Sequence, residues 1–460
     1  MSDLDRALAA ADAALDPSLE RLFALLKIPS VSTDPEHRTG CREAADWLRR
    51  DLVEIGFSAA LRETPGHPVV LATRPKPGAP HVLFYGHYDV QPVDPLDKWE
   101  TPPFEPRIAT LTDGRKAVVA RGASDDKGQV MTFLEACRAW IAATGDLPVG
   151  VTVLLEGEEE CGSINLPAFL DEAKDELGAD VALVCDTAMW AAGRPAITSS
   201  LRGLVYEEIT VRAADRDLHS GLYGGAARNP LHVVADIVAG LHDADGRVTL
   251  PGFYDGVAET PAEVREQWRS LGLDADAFLK PIGLSEPAGE RDRMIIEQIQ
   301  SRPTCDVNGF WGGYTGAGAK TVIPAEAHAK ISFRLVGDQD PAKVKQAFRA
   351  YVRGRLPVDC EVVFEGHKGS RAIQLPFDSP ALATARAALA DEWRVEAVTI
   401  GSGGSIPVVG DFKRLLGLDT LLIGFALDDD RIHSPNEKYD LDSFRRGTRS
   451  WVRILAALAG

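Results

Sequence analysis

The stretch HVLFYGHYD, residues 81–89, passes from an uninterrupted apolar run into the polar side chains of His87 and Asp89. An apolar run of this kind is typical of a strand that is buried on both faces of a sheet. Two more segments share this character, and two others have helical periodicity: GVTVLLEGE (150–158) and ADVALVCD (179–186) as strands, KGQVMTFLEACRAWIAA (127–143) and INLPAFLDEAKDEL (164–177) as helices. Strands that alternate with helices in this way predict an α/β sheet covered on both faces.

Side chains of the kind that bind metal ions lie at or just after the ends of the predicted strands. They are His87, Asp125, Glu160, Asp186 and His433, with Glu159 beside one of them. In α/β sheets, ligands gather outside the carboxyl ends of the strands. Neutral imidazole and ionised carboxylate oxygen suit a hard or borderline divalent cation. One bridging carboxylate, with a histidine and a carboxylate on each side, would complete a two-metal site that activates water for hydrolysis.

Length and charge limit the classes of protein and partner. The 460 residues are too many for one ordinary hydrophobic core, so two domains are expected. The formal net charge is −18. Polyanions and anionic membrane surfaces would be repelled, so we expect neither a nucleic-acid nor a membrane partner.

The N-terminal residues favour a cytoplasmic location, and the cysteines limit the kinds of cross-link and metal site. The chain has 6 cysteines, which are scattered and form no CxxC pair. This pattern argues against a disulfide framework and against a cysteine-type zinc site. The first residues, MSDLDRALAAADAALD, begin acidic and do not follow a signal-peptide pattern.

A change of pattern near residue 198 predicts an inserted domain. LVYEEITVRA (204–213) and AHAKISFRLV (327–336) alternate polar and apolar residues, with a helical segment at 229–242 and a charged, Pro- and Gly-rich stretch at 250–303 between them. We therefore expect an α+β insertion over 199–377 and a discontinuous catalytic domain of 1–198 and 378–460. In the catalytic domain we expect amphipathic helices over 3–27 and 42–54, a helix over 379–393, and a C-terminal helix with Phe444, Trp451, Leu455 and Leu458 on one face.

The acidic motifs leave individual roles open, since turn or cap chemistry alone also explains each motif. In GASDDKG, Asp125 could bridge two cations while Asp126 caps the following helix. In EGEEECGS, one of the adjacent glutamates could bind metal while the other takes a proton from water. At the end of the first strand, Asp89 is spaced to accept a hydrogen bond from the ring of His87, which would fix the orientation of that ring.

Three features outside the metal motifs are weaker candidates for functional sites. His219, in DLHSGLYGG, is a loop histidine that its neighbours do not place at any site. Arg334 lies in the apolar text ISFRLV, where a buried guanidinium is expected to have a specific partner such as a carboxylate. GSGGSIP (401–407) could present backbone N–H groups to an anion, although ordinary turn chemistry explains it equally well.

Together these motifs resemble those of a known family. YGHYDVQPVD, ARGASDDKGQV, EGEEECGS, DLHSG, GAKTVIP with FRLV, GGSIPV and IHSPNEK are similar to motifs of the co-catalytic two-metal peptidases, and they run in that family's order from residue 81 to 438. The family holds carnosine dipeptidase, cytosolic nonspecific dipeptidase, carboxypeptidase G, aminoacylase and succinyl-diaminopimelate desuccinylase. The resemblance implies a mixed-sheet exopeptidase catalytic domain with an inserted α+β lid and dimerisation domain, and a homodimer.

The resemblance also implies a role for each matching position. The metal ligands would be His87, Asp125, Glu160, Asp186 and His433. Asp125 would bridge two divalent ions per subunit, with zinc as the first choice and manganese or cobalt as alternatives. Asp89 would orient His87, Glu159 would be the general base, and His219 would reach the active site of the partner subunit. The terminal carboxylate of a small peptide substrate would be held by Arg334, Thr321 and Ser405.

Two reactions share such a site. The first is hydrolysis of dipeptides that carry a free C-terminal carboxylate, and the alternative is deacylation by an N-acyl-amino-acid amidohydrolase. A requirement for a free α-amino group on the substrate would distinguish them. A catalytically silent binding protein on the same fold would be favoured by a missing ligand or base, and all the matching positions are present.

Overall fold

The computed structural model describes residues 1–366, 368–376, 378–402 and 406–460. They form two compact units: Met1–Ser199, Leu375–Ile400 and Pro407–Gly460 in the first, Ser200–Gln374 and Gly401–Ile406 in the second. Each unit contains a hydrophobic cluster of its own. The boundaries of these units differ from the expected ones by a few residues, and they assign 401–406 to the second unit.

The described residues form strands and helices throughout the chain. The strands are β1 (Ser58–Arg62), β2 (Val69–Arg74), β3 (His81–His87), β4 (Arg107–Thr110), β5 (Lys116–Val119), β6 (Gly150–Glu156), β7 (Val181–Val184), β8 (Ala196–Leu201), β9 (Gly203–Arg212), β10 (Leu218–His219), β11 (Thr304–Gly312), β12 (Val322–Ile323), β13 (Glu326–Leu335), β14 (Glu361–Gly366), β15 (Ile373–Gln374), β16 (Val398–Ser402), β17 (Thr420–Leu422) and β18 (Lys438–Asp440). The helices are α1 (Asp3–Ala13), α2 (Leu15–Leu26), α3 (Arg38–Ile55), α4 (Lys127–Thr144), α5 (Leu166–Glu172), α6 (Ser220–Tyr223), α7 (Pro230–Ala239), α8 (Ala262–Ser270), α9 (Ala275–Leu279), α10 (Ile295–Gln300), α11 (Pro341–Arg355), α12 (Pro380–Trp393), α13 (Pro407–Asp411) and α14 (Leu441–Leu458).

The first unit is built on a mixed sheet with a parallel centre. Neighbouring strands in this unit follow the order β1-β2-β6-β3-β7-β17-β8. The pairs β6–β3, β3–β7 and β7–β17 are parallel, so the carboxyl ends of these strands lie at one edge of the sheet. The prediction of an α/β sheet is confirmed, and the antiparallel pairs β1–β2 and β2–β6 make it mixed.

Aromatic side chains join this sheet to two long helices, α4 and α14. Phe84 of β3 stacks on Phe133 of α4 with ring centroids 3.7 Å apart, and Trp451 of α14 meets both rings edge-on. The indole N–H of Trp451 donates to Thr132 Oγ1 at 3.1 Å, so the polar atom of this buried ring has a partner. The predicted apolar face of the C-terminal helix packs into the core: Phe444, Trp451, Leu455 and Leu458.

The second unit contains an antiparallel sheet in the order β11-β13-β9-β14. Along β9 and β13 buried residues alternate with partly exposed ones, as the alternating sequence predicted. Helices α7 and α11 pack against this sheet and bury its apolar face. A separate two-stranded ladder joins β10 to β12. The Pro- and Gly-rich stretch 250–303 holds the short helices α8, α9 and α10.

The helix expected over 3–27 is two helices, α1 and α2, which meet at Ala14. Pro17 accounts for the break, because proline has no backbone N–H and its ring clashes with the carbonyl four residues earlier. The chain therefore starts a new helix with Pro17 in its first turn. Among the described residues, no helix combines the length and the hydrophobicity that crossing a bilayer requires.

Candidate metal centre

Three of the candidate ligands lie where parallel strands end. His87 is the last residue of β3, Asp186 lies two residues beyond β7, and Glu160 lies in a short 3₁₀ turn after β6. Because β3 pairs in parallel register with both β6 and β7, these three points of the chain are neighbours. Asp125, in the loop before α4, and His433, in the loop before β18, complete the set.

The carboxylate of Asp125 has one oxygen in each of two ligand groups. Its Oδ1 lies 3.1 Å from His87 Nε2, and its Oδ2 lies 2.9 Å from His433 Nε2. Asp186 Oδ2 is 4.0 Å from the same nitrogen of His87, and Glu160 Oε2 is 3.3 Å from His433 Nε2. The five candidate ligands therefore form two groups that share Asp125.

The charges of these groups shift one another's pKa values. Burial, followed by the nearby charge of Asp125, raises the pKa of Asp186 to about 7. Hydrogen bonds to Asp125 and Glu160 raise the pKa of His433 to about 10. Burial alone would lower the pKa of His87, but its hydrogen bond to Asp125 contributes to raising it well above the usual value. A divalent cation bound here would supply positive charge in place of the protons on these groups, since metal ligands are neutral imidazoles and ionised carboxylates.

Asp89 ties the ring of His87 to the turn that follows β6. Its Oδ1 lies 3.3 Å from His87 Nδ1. The backbone carbonyl oxygen of Asp89 lies 3.1 Å from the same nitrogen. The same carboxylate accepts the backbone N–H groups of Glu159 at 3.3 Å and Glu160 at 3.0 Å. These contacts hold Nδ1 on the side away from Asp125 and direct Nε2 toward it.

Asp126 occupies the N-cap position of α4, but its side chain makes no capping hydrogen bond. Its Oδ2 instead accepts the backbone N–H of His87 at 3.2 Å, and Cys185 Sγ donates to it at 3.3 Å. The expectation of a side-chain cap was therefore wrong, because this carboxylate faces donors on β3 and β7 rather than the first turn of the helix. Burial raises the pKa of Asp126 well above its usual value.

The two adjacent glutamates differ in their surroundings. Glu160 belongs to a ligand group, and its Oε2 also accepts a hydrogen bond from Gln91 Nε2 at 2.7 Å. Glu159 is in neither group; burial raises its pKa, and the charges of His87 and Glu160 act on it with opposite signs. Sequence reasoning missed Gln91, although it follows Asp89 by the same two-residue step that separates His87 from Asp89.

His219 and Thr321 are neighbours in the second unit. His219 pairs with Val322 in the β10–β12 ladder, and the carbonyl oxygen of Thr321 accepts the N–H of Ser220 at 3.0 Å. The exposed His219 ring accepts the N–H of Gly221 through Nδ1 at 3.0 Å, so Nε2 is the nitrogen that can donate outward. The two candidates are thus close in space although about 100 residues apart in the chain.

Arg334 is not buried in the core as its apolar neighbours suggested. Phe333 and Leu335 point into the core, while Arg334 lies on the opposite, partly exposed face of β13. Strand alternation explains the error, because adjacent side chains point to opposite faces. Within the described part of the chain, the guanidinium of Arg334 has no ion pair at 4.0 Å or less. Ser405 lies outside the described residues.

The donor set of the first unit fits a pair of divalent cations. The groups are His87, Asp125 and Asp186, and Asp125, Glu160 and His433, and within each group the donor atoms all lie within 4.8 Å of one another. Imidazole nitrogen with carboxylate oxygen is a set that zinc, manganese and cobalt accept. Such closely packed carboxylates are stable when positive charge lies between them.

Comparison with known proteins agrees with this chemistry. Residues 83–457 match Peptidase family M20/M25/M40. The Cys-Gly metallodipeptidase DUG1 of Candida albicans is 31% identical over 454 residues, which cover 94% of this chain and 92% of that protein. The Beta-Ala-His dipeptidase of Homo sapiens is 28% identical over 443 residues, covering 95% of this chain and 85% of that protein.

A solved structure has a similar fold over almost the whole chain. The M20 family metallo-carboxypeptidase Sso-CP2 from Sulfolobus solfataricus superposes with a TM-score of 0.77 at 33% identity, covering 96% of this chain and 99% of that one. Its coverage includes both units, so the two-unit architecture is common to the two chains.

Proposed function

The chain belongs to Peptidase family M20/M25/M40, and from this premise we propose that it is a metal-dependent dipeptidase acting on dipeptides with a free C-terminal carboxylate. The observation that carries the proposal is the position of Asp125, with one oxygen in each ligand group. The two curated relatives described above are both dipeptidases, which favours this reaction over deacylation of N-acyl amino acids. Sso-CP2 is named a carboxypeptidase, so longer peptides are the substrates to compare.

The five ligands would divide between two ions. His87 and Asp186 would hold one, Glu160 and His433 would hold the other, and Asp125 would bridge them. Zinc is our first choice, with manganese and cobalt as alternatives that accept the same donors. Divalent cations in this position acidify a water molecule and polarise the scissile carbonyl.

The remaining residues of the site would move protons and hold groups in place. Glu159 takes a proton from the attacking water and passes it to the leaving amine, and burial raises its pKa, which makes its carboxylate a stronger base. Asp89 keeps the His87 ring in the orientation that directs Nε2 toward Asp125. His219 donates a hydrogen bond to the developing oxyanion from the partner subunit.

Residues of the second unit would recognise the substrate. Arg334 can give a terminal carboxylate two parallel hydrogen bonds, since no carboxylate of the described residues pairs with it in the chain itself. Thr321 and Ser405 would complete the carboxylate site. A free carboxylate on the substrate is therefore part of the proposal, as it is for any exopeptidase that acts at the C-terminal end.

We further propose a homodimer that functions in the cytoplasm. The outer strand β11 exposes 40% of Val307, 44% of Phe310 and 38% of Trp311, and an apolar sheet edge of this kind favours pairing with another chain. The cytoplasmic location is supported by the 6 cysteines, all of them free thiols.

Hydrolysis of a small substrate panel tests the proposed function. The panel contains Cys-Gly, β-Ala-His, a tripeptide, an N-acetyl amino acid and a C-amidated dipeptide, each assayed with zinc-, manganese- and cobalt-loaded protein. We expect dipeptides with two free ends to be cleaved fastest. Faster N-acetyl hydrolysis would make the protein an amidohydrolase, and a preference for the tripeptide would make it a carboxypeptidase. The Glu159→Gln variant, purified in parallel, controls for contaminating peptidases.

A further inference from the structure

One buried side chain, Glu437, links the loop that carries His433 to the loop that carries Asp125 through hydrogen bonds. Glu437 has an exposed fraction of 0%, and it follows His433 by four residues in the text HSPNE. Its carboxylate belongs to neither ligand group.

Both oxygens of Glu437 are occupied by donors from the Asp125 loop. Oε1 accepts the backbone N–H of Ser124 at 2.9 Å and that of Asp125 at 3.0 Å. Oε2 accepts the backbone N–H of Gly122 at 3.0 Å and a guanidinium N–H of Arg121 at 2.7 Å. A carboxylate is the side chain suited to this position, because it accepts on both oxygens and donates on neither.

Other contacts join the same two loops. The backbone carbonyl of Glu437 accepts the N–H of Ala120 at 3.1 Å, and Ser124 Oγ donates to Asp430 Oδ2 at 2.8 Å. Asp430 in turn is held by Lys438 Nζ at 2.5 Å. The two loops are therefore attached to each other at both the backbone and the side-chain level.

The His433 loop has a backbone that needs such attachment. Arg431, His433 and Asn436 have φ values of 57°, 63° and 62°, in the left-handed region that residues other than glycine seldom occupy. Conformations of this kind persist where surrounding contacts determine them. Fastening the loop at Glu437 and Asp430 supplies those contacts on the side that faces Asp125.

We propose that Glu437 is a positioning residue for the metal pair: it holds the backbone of Asp125 so that the two carboxylate oxygens point into the two ligand groups. The inference rests on the proposed role of Asp125 as the bridging ligand. The carboxylate of Glu437 contacts Asp125 only at its backbone N–H and is not itself one of the candidate ligands, so it acts through the backbone of Asp125. A rotation of that backbone would move Oδ1 away from His87 or Oδ2 away from His433, and one of the two ions would lose a ligand.

Titration of the full-length protein with Co²⁺ after chelation, followed by its visible absorption and its bound-metal content, tests the proposal. In Glu437→Gln the amide NH₂ must face either the N–H groups of Ser124 and Asp125 or those of Gly122 and Arg121, so the loop must move. We expect affinity for the second Co²⁺ to fall about 10- to 100-fold, the usual effect of losing a group that orients a metal ligand. We also expect the absorption spectrum of the bound ions to change.

Glu135→Gln is the matched control. Glu135 is also a buried glutamate of the first unit, with an exposed fraction of 2%, and accepts two hydrogen bonds from Arg21 at 2.6 Å each. It holds no backbone N–H of a ligand loop. We expect Glu135→Gln to lower the unfolding temperature while binding two Co²⁺ ions with the spectrum and affinity of the wild type.

Three outcomes decide the question. If Glu437→Gln binds two Co²⁺ ions with unchanged affinity and spectrum, the inference is wrong. If Glu437→Gln does not fold, Glu437→Asp replaces it; that variant keeps the charge but withdraws the oxygens by one methylene, and wild-type Co²⁺ binding in it would also refute the inference. If Asp125→Ala, measured in parallel, retains two ions with wild-type affinity, the proposed bridging role itself fails, independently of Glu437.

Discussion

The candidate residues of the two units are held in opposite ways. In the first unit, His87 and Asp125 are held among buried partners from several strands and loops. In the second unit, His219 and Thr321 are exposed at the ends of short strands, and Arg334 lies on the outer face of its sheet without an ion pair among the described residues. The chemistry of the metals is thus built into the fold, whereas the groups proposed to recognise substrate contribute little to it. Changes at the candidate metal ligands of the first unit should affect metal content, and changes at His219 or Arg334 of the second unit should affect only the reaction.

The largest effect is expected from Asp125→Ala. Removing the shared ligand takes one oxygen from each group, so bound metal should fall below two ions per chain and dipeptide hydrolysis should become undetectable. Prolonged chelation of the wild type should do the same, with recovery on adding Zn²⁺, Mn²⁺ or Co²⁺. Metal analysis measures the bound ions, and an assay of dipeptide hydrolysis measures the activity. Asp51→Ala is the control, since Asp51 is a buried aspartate paired with Arg138 at 2.5 Å and has no place in either group. Full activity in metal-free protein would contradict the proposal that the ligands of the first unit act by holding metal ions.

Substitutions of the adjacent residues Glu159 and Glu160 should have different effects on activity and metal content. Glu159→Gln removes the proposed base and no ligand, so kcat should fall by about 10²–10⁴-fold with metal content unchanged. Glu160→Gln removes a ligand oxygen near His433, so metal affinity should fall as well. Metal analysis of both variants beside their kinetics distinguishes the two roles. The opposite pattern would show that the assignments must be exchanged.

His219→Ala should lower kcat by about 10²–10³-fold, the usual effect of losing one donor to an oxyanion, with metal content unchanged. Mixing it with Glu159→Gln tests the partner-subunit role. A heterodimer of the two would contain one site with both defects and one with neither, so it should recover about half of the wild-type activity. Heterodimers identified by mass but lacking activity would mean that His219 acts within its own subunit or has no role.

Arg334→Ala should have the smallest effect on the reaction and none on folding. Losing charge-assisted hydrogen bonds to the substrate carboxylate should lower kcat/KM for dipeptides about 10- to 100-fold, and the wild type should show a similar deficit with C-amidated dipeptides. The unfolding temperature should not change. Arg302→Ala is the contrasting variant, because Arg302 of the same unit holds buried Glu290 at 2.5 Å and its loss should destabilise the protein. Equal cleavage of free and amidated dipeptides would exclude Arg334 as the anchor.

The sequence was most informative where the chain follows a regular strand. His87 and Asp186 could be placed side by side, because uninterrupted apolar runs identified β3 and β7 and parallel strands end at a common edge. The expected burial of Arg334 was wrong, because its apolar neighbours Phe333 and Leu335 were followed instead of the alternation of the strand, which places Arg334 on the opposite face.

Loop geometry could not be predicted in the same way. The motif around Asp125 showed an acidic turn, but the direction of its two oxygens depends on contacts with residues near position 433. Glu437 was visible in HSPNE, yet three of its four donors are backbone N–H groups, which leave no trace in the sequence of the loop that provides them. Asp126 was misjudged for a related reason, because its donors come from β3 and from Cys185 rather than from its own helix.

The fastening of Asp125 by Glu437 also sets an order of events during synthesis of the protein. The two residues are 312 positions apart in the chain. At about 5–20 residues per second, the ribosome makes Glu437 roughly 15–60 s after Asp125. From the synthesis of Asp186 until that of His433, the growing polypeptide contains four of the five candidate ligands without the loop that aligns them. The complete set of candidate ligands is therefore available only late in synthesis, and a chain that stalls before residue 433 would display a cluster of acidic side chains without a complete site.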